Sequence, residues 1–171
     1  MSESNPRVDP PMVADEATTL TAFLDYHRGT LALKCEGLTD DQLRLRPVPP
    51  SNLSLLGLVR HMAEVEQYWF QSVLLGQEIT EGHFWTEENE DGDFDDVDTA
   101  DVAADFAVWR AEVEAARRAA AGLPLDTVGR KLRRGEPVTL RWILAHLVEE
   151  YARHNGHADL LRESVDGVTG E

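Results

Sequence analysis

Cysteine is nearly absent from this 171-residue sequence, which contains only Cys35. A single cysteine excludes an intrachain disulfide, and it also excludes a structural zinc site built from several thiolates. Cys35 falls on a predicted helix, where a free cysteine usually behaves as a small apolar side chain. We therefore interpret Cys35 as a packing residue rather than as a nucleophile.

Long apolar runs are missing as well. No stretch approaches the roughly 20 apolar residues that span a bilayer, and the N-terminal residues lack the apolar core of a signal peptide. We therefore predict a cytoplasmic protein that does not enter a membrane. Residues 1–14, with three prolines, are expected to form a leader before a single domain at 15–165, and residues 166–171 a short tail.

Positive charge is scarce: 16 basic residues face 32 acidic ones, and the net charge is −16. This balance argues against the dominant basic face that nucleic acids and anionic membranes require. Nine acidic residues and no basic residue lie between Glu87 and Asp101. Their spacing partly matches a calcium-binding EF-hand loop, but Glu87 and Asp98 are the wrong residues at its two ends. We expect a solvated acidic connection that favours the N-terminus of the next helix.

Apolar residues are plentiful, at 42% of the chain, and they recur with helical periodicity. Long helices are predicted at about residues 16–36, 52–75, 99–121 and 139–164, with a short one at 39–45. No useful alternating pattern indicates a strand. We therefore predict an all-α four-helix bundle with a long crossover between the second and third long helices, which leaves those two parallel.

Ionisable residues interrupt two of the predicted apolar faces. In the fourth long helix an inward-facing seam recurs at alternating spacings of four and three residues, and His154 occupies one of its positions. The members of this seam are Leu140, Leu144, Leu147, Tyr151, His154, Ala158 and Leu161. Glu150 lies one turn before His154 on the same side. In the second long helix, His61 breaks an apolar stripe in the same way. We expect the isolated His27 and His83 at the surface.

A buried ionisable group costs free energy unless it is paired, hydrogen-bonded or bound to a metal. Two histidines and one carboxylate suit zinc, iron or nickel as divalent ions, and three protein ligands leave a position open for water or substrate. The pattern therefore favours a metal site formed by His61, Glu150 and His154. Two alternatives stay open: a hydrogen-bonded polar cluster without metal, and a His154–His157 pair.

These residues also carry a family resemblance. The stretch SNLSLLGLVRHMAEVEQYWF contains His61, and the stretch HLVEEYARHNGHADLLRE contains Glu150 and His154. Both resemble the DinB-like superfamily, in particular an actinobacterial branch related to the mycothiol-dependent maleylpyruvate isomerases, over about residues 16–165. The resemblance implies a four-helix bundle in up-down-down-up order. It also implies a divalent metal held by His61 of the second long helix and by Glu150 and His154 of the fourth.

The same resemblance implies a function. The metal would activate a low-molecular-weight thiol such as mycothiol for transfer to, or isomerisation of, an electrophilic substrate, because a metal-bound thiol loses its proton. We see no second domain of the kind that full maleylpyruvate isomerases carry, which argues against that particular reaction. A second hypothesis is a non-catalytic metal- or small-molecule-binding bundle with a stress-response or regulatory role. A third is a helical interaction module without metal. Fold analogy suggests a homodimer.

Overall fold

The prediction of an all-α protein is confirmed by the computed structural model, which describes residues 7–170. The described residues form six α-helices and one π-helical segment, and their β-structure is limited to two isolated bridges. The α-helices are α1 (Glu16–Cys35), α2 (Asp40–Arg44), α3 (Leu55–Glu66), α4 (Gly92–Asp95), α5 (Val102–Ala120) and α6 (Leu140–Asp166). The four long helices of the sequence prediction correspond to α1, α3 with its π-helical continuation, α5 and α6.

Polar caps set the helix starts, because the first backbone N–H groups of a helix have no partner inside it. A capping box starts α2 at the predicted position, with Thr39 and Gln42 bonded reciprocally. Thr139 caps α6 at the predicted start of that helix, and Gly167 ends the helix in the left-handed conformation with a φ of 77°. The second long helix starts at Leu55, later than the predicted start near residue 52, because Ser54 provides the cap.

The second long helix changes its geometry at Gln67. Residues Gln67–Leu74, here called the π segment, continue α3 with π-helical hydrogen bonding, whereas the sequence pattern predicted a continuous α-helix to Leu75. Its last carbonyls, those of Val73 and Leu74, accept hydrogen bonds from the backbone of Lys131 and Arg130. Gly129 permits this approach, because a Cβ there would lie 2.7 Å from the carbonyl oxygen of Val73. The end of the π segment is thus paired with a segment distant in the sequence.

The core lies between the four long helices. α1 packs mainly against α6, and α3 mainly against α5, while α3 also contacts α6 and α1. At the centre each long helix contributes one polar residue to a buried network: Arg28, Glu66, Trp109 and Tyr151. Arg28 makes a two-pronged contact to Glu66 at 2.8 and 2.7 Å, and Tyr151 donates to the same carboxylate at 2.8 Å. Cys35 is buried, as expected of a packing residue.

Residues 77–98, here called the crossover segment, are fastened onto α3 and α5. Arg60 of α3 donates to the carbonyl oxygen of Gly92 at 2.9 Å, pairs with Asp105 of α5, and lies over the ring of Phe84. Phe94 approaches α3 closely because residue 57 is glycine: a Cβ at Gly57 would lie 2.9 Å from its ring. The expected solvated connection is therefore correct for most of its acidic residues but wrong for Asp93, which is buried.

Chain segments outside the helices are only partly described. Of the predicted leader, residues 1–6 lie outside the described residues, while Arg7 stacks over the ring of Tyr26 at 4.7 Å. Residue 171 of the predicted tail also lies outside them. In the part of the chain that is described, no helix combines the length and the apolar character needed to cross a membrane.

A pH-dependent contact fastens the crossover segment to α5. His83 lies 2.8 Å from a carboxylate oxygen of Glu112, and this hydrogen bond is the main cause that raises the pKa of His83. Because the pKa of His83 is higher in the folded protein, the contact stabilises the fold fully at pH values below the ordinary histidine pKa of about 6.5. This stabilisation is lost as the pH rises through the pKa that His83 has in the folded protein. The carboxylate of Glu64 also faces His83 and adds to the shift.

We therefore expect backbone hydrogen exchange in the crossover segment, corrected for the intrinsic effect of pH, to rise about two- to fivefold between pH 6 and pH 9. A His83→Gln variant should lose most of that dependence. His27→Gln is the matched control, since His27 lies on α1, and it should behave like the unmodified protein. Equal pH dependence in the unmodified protein and His83→Gln would contradict the role assigned to this contact.

Candidate metal centre

The three residues singled out in the sequence come together in the structure. His61 projects from α3, and Glu150 and His154 project from adjacent turns of α6. One potential ligand atom from each residue lies within 4.8 Å of those of the other two. The contact between α3 and α6 brings these residues close, since His61 is 89 positions from Glu150 and 93 from His154 in the chain.

These groups converge without hydrogen-bonding one another well. The separation between His154 Nε2 and Glu150 Oε2 is 3.5 Å, at the outer limit of a hydrogen bond. Two ligand atoms about 2.0–2.1 Å from a tetrahedral zinc ion lie roughly 3.3–3.4 Å apart. The separation of this pair is close to the spacing of two ligands of one zinc ion.

His154 carries the chemical form that a metal requires. Burial lowers its pKa to about 4, with His61, His157 and Arg153 adding smaller effects, so its imidazole is neutral at neutral pH. Neutral imidazole is the ligating form. Its Nδ1 is buried and has no hydrogen-bond partner among the described residues. Only 12% of the His154 side chain is exposed, so the seam position predicted from the sequence lies at the edge of the core.

A second histidine, His146, lies beside the other carboxylate oxygen of Glu150. Glu150 Oε1 lies 3.3 Å from His146 Nε2, and His146 Nδ1 lies 3.0 Å from Glu149. The ring of His146 stacks on Trp142 and meets Trp69 edge-on, each at 4.8 Å between centroids. His146, Glu149 and Glu150 form a second converging group, but Glu149 is exposed.

His61 is held by residues that the sequence argument missed. Its Nδ1 lies 2.8 Å from Asp93 Oδ2, and its ring stacks on Phe94 with 5.1 Å between centroids. Both partners belong to the crossover segment. No spacing rule distinguishes Asp93 from the other acidic residues around it, because its position opposite His61 depends on how the segment folds back onto α3.

The remaining histidines occupy other places. His157 lies beside His154, with 5.4 Å between ring centroids, but belongs to neither converging group found in residues 7–170. His83 is exposed, as expected. The expectation of a surface position is wrong for His27, which is half-buried against Asn155, and burial lowers its pKa. α1 packs on α6 at this point, and a single-helix pattern does not contain that contact.

Two grooves lie elsewhere on the molecule. One, of about 440 Å³, lies between α1 and α6 near Asn155, and the other, of about 500 Å³, lies between α1, α5 and the start of α6 near Phe70. Neither is lined by the three residues of the cluster. Through His146, which lies next to Glu150, the cluster adjoins Trp69 of the π segment and Trp142 of α6, and Trp142 is 48% exposed.

An all-helical protein with two histidines and a glutamate converging between two packed helices is of the class that can hold a catalytic divalent ion with an open coordination position. Comparison with known families identifies the family of the chain. Residues 19–167 match the family described as Mycothiol-S-transferase, and the chain belongs to that family. No curated protein gives a significant match.

Proposed function

We propose that this protein is a metal-dependent enzyme that transfers a low-molecular-weight thiol such as mycothiol to an electrophilic substrate, or isomerises a substrate through that thiol. His61, Glu150 and His154 are the proposed ligands of its divalent ion, which would be zinc, nickel or iron. The observation that carries the proposal is the convergence of these three side chains within 4.8 Å in a member of the mycothiol-S-transferase family.

The proposal includes the arrangement of the chain. We propose one domain at residues 15–165, built as a four-helix bundle in up-down-down-up order, preceded by a leader and followed by a short tail. The packing of α1 on α6 and of α3 on α5 supports such an arrangement. The long crossover segment is compatible with parallel second and third long helices. A homodimer and a cytoplasmic location stay predictions.

A divalent ion at this cluster would favour the thiolate form of a thiol bound to it, which is the nucleophilic form. The protein supplies a neutral His154 and an ionisable carboxylate, a ligand set that leaves a position free for the thiol. His146 Nε2, at 3.3 Å from Glu150 Oε1, is positioned to hold a proton beside the cluster. Contact with the His146 ring would keep the Glu150 carboxylate oriented toward the ligand site.

The aromatic side chains beside the cluster offer a surface for the electrophile. Trp69 and Trp142 lie 5.0 Å apart between ring centroids, and Arg133 lies over the rings of Tyr68 and Trp69. Aromatic faces bind the apolar part of a small molecule, and a guanidinium group at their edge can bind an anionic group. We propose that this patch, defined by Tyr68, Trp69, Arg133 and Trp142, receives the electrophilic substrate.

Metal removal tests the proposal. We expect purified protein to contain about one divalent ion per chain by elemental analysis, and to accelerate conjugation of mycothiol to an alkylating electrophile. Chelation should reduce the rate to that of the uncatalysed reaction, because the thiol then stays largely protonated. Reloading with zinc, nickel or iron should restore it, which controls for damage by the chelator.

The outcomes separate the hypotheses. Stoichiometric metal without any rate acceleration, across several electrophiles, would contradict the enzyme and favour the non-catalytic metal-binding bundle. Protein that binds none of the three metals would contradict the metal site altogether. Activity that survives complete removal of the metal would contradict its role in activating the thiol.

A further inference from the structure

One carboxylate of the acidic crossover segment differs from all its neighbours. Of the nine acidic residues between Glu87 and Asp101, eight are exposed and Asp93 alone is buried. A buried carboxylate requires a partner, because leaving water costs it a large solvation free energy. The partner is His61, whose Nδ1 lies 2.8 Å from Asp93 Oδ2.

Other parts of the fold hold both Asp93 and His61 in place. Asp93 belongs to α4, which packs on α3, and its second oxygen accepts a hydrogen bond from the backbone of Phe94. Phe94 covers the face of the His61 ring, and Arg60 anchors the backbone of Gly92 at 2.9 Å. The ring of His61 is therefore held by one hydrogen bond at Nδ1 and by one stacked ring.

This arrangement determines which nitrogen of His61 is available. An ionised carboxylate is acceptor-only, so the ring nitrogen facing Asp93 must carry the proton. Nε2 is then unprotonated and is the nitrogen left for the cluster with Glu150 and His154. A carboxylate hydrogen-bonded behind a histidine in this way raises the basicity of the ligating nitrogen and fixes the orientation of the ring.

We propose that Asp93 is a positioning residue that holds His61 as the tautomer protonated at Nδ1, with Nε2 presented to the metal. This inference rests on the proposed metal site and adds to it the function of one residue of the acidic segment. The segment connects two helices, and through Asp93 it also completes the surroundings of a ligand supplied by α3.

Two variants and a matched control test the proposal. Asp93→Ala removes the acceptor, Asp93→Asn keeps an acceptor oxygen without the charge, and Glu88→Ala removes an equal charge from an exposed position in the same segment. Zinc affinity is measured by competition with a chelator. We expect Asp93→Ala to bind zinc about 10- to 100-fold more weakly, Asp93→Asn to lie between it and the unmodified protein, and Glu88→Ala to be unchanged.

A second measurement is independent of metal. Nitrogen-15 NMR of the metal-free protein should show His61 protonated at Nδ1, and Asp93→Ala should shift it toward a mixture of the two tautomers. If Asp93→Ala does not fold, as judged by circular dichroism, the zinc affinities of Asp93→Asn and Glu88→Ala are compared instead, and Asp93→Asn is expected to bind zinc more weakly.

The results that overturn the inference differ from those that overturn the proposed function. Zinc affinities of the Asp93 variants within twofold of Glu88→Ala, in protein that binds zinc, would overturn the role of Asp93 alone. A metal-free protein with His61 protonated at Nε2 would do the same. Unmodified protein that binds no metal would overturn the proposed function, and the role of Asp93 with it.

Discussion

Replacing Arg28 with methionine should lower the free energy of unfolding by about 3–5 kcal/mol. Arg28 and Glu66 form an ion pair at the centre of the core, where the Glu66 side chain is completely buried. Burial by itself lowers the pKa of Arg28, but the contact with Glu66 more than offsets this and raises it. Without the guanidinium group, Glu66 keeps only the hydrogen bond from Tyr151.

Urea denaturation followed by circular dichroism measures this loss. Arg117→Met is the matched control, because Arg117 pairs with Asp25 at a partly exposed position and should cost no more than about 1 kcal/mol. A double variant, Arg28→Met with Glu66→Leu, should recover much of the stability, because it removes the uncompensated charge. Equal losses in Arg28→Met and Arg117→Met would contradict the importance of the buried pair.

Replacing His154 with alanine should weaken zinc binding by at least about 100-fold, beyond the 10- to 100-fold typical of residues that only support a ligand. The substitution removes one of three ligands from the proposed site, and the remaining His61 and Glu150 would have to bind the ion with two ligand atoms. Transferase activity at a fixed zinc concentration should fall with the metal content.

His157→Ala is the control for this experiment. His157 lies on the same helix, next to His154, and has the same chemistry, but it is absent from the converging group. We expect zinc affinity within about threefold of the unmodified protein. If His157→Ala loses as much affinity as His154→Ala, the alternative His154–His157 pair is favoured. Unchanged affinity in His154→Ala would remove His154 from the site.

The helices and their caps could be predicted because the information is local. Thr39 and Thr139 start their helices where the sequence indicated, since a capping side chain bonds to backbone groups two or three residues away. Part of the candidate site could also be predicted from local sequence. Glu150 and His154 share a face because four residues make about one helical turn, whatever packs against them.

The family resemblance added what periodicity did not contain. The pattern of the residues favoured a site of His61, Glu150 and His154, but it left a metal-free polar cluster and a His154–His157 pair open. The resemblance to the DinB-like superfamily favoured the same three residues over these alternatives, and the match to the mycothiol-S-transferase family over residues 19–167 shows the family of the chain. That these three residues are metal ligands stays a prediction.

Local sequence by itself therefore determined the helical class, most helix boundaries and the pairing of Glu150 with His154. Only the tertiary structure decided which residues surround them. It placed Glu66 against Arg28, from positions 38 residues apart, and it chose Asp93 out of nine acidic residues to contact His61. The physical reason is that burial and hydrogen-bond partnership depend on how distant segments pack, and residues with the same charge and similar neighbours in the sequence do not differ until the chain has folded.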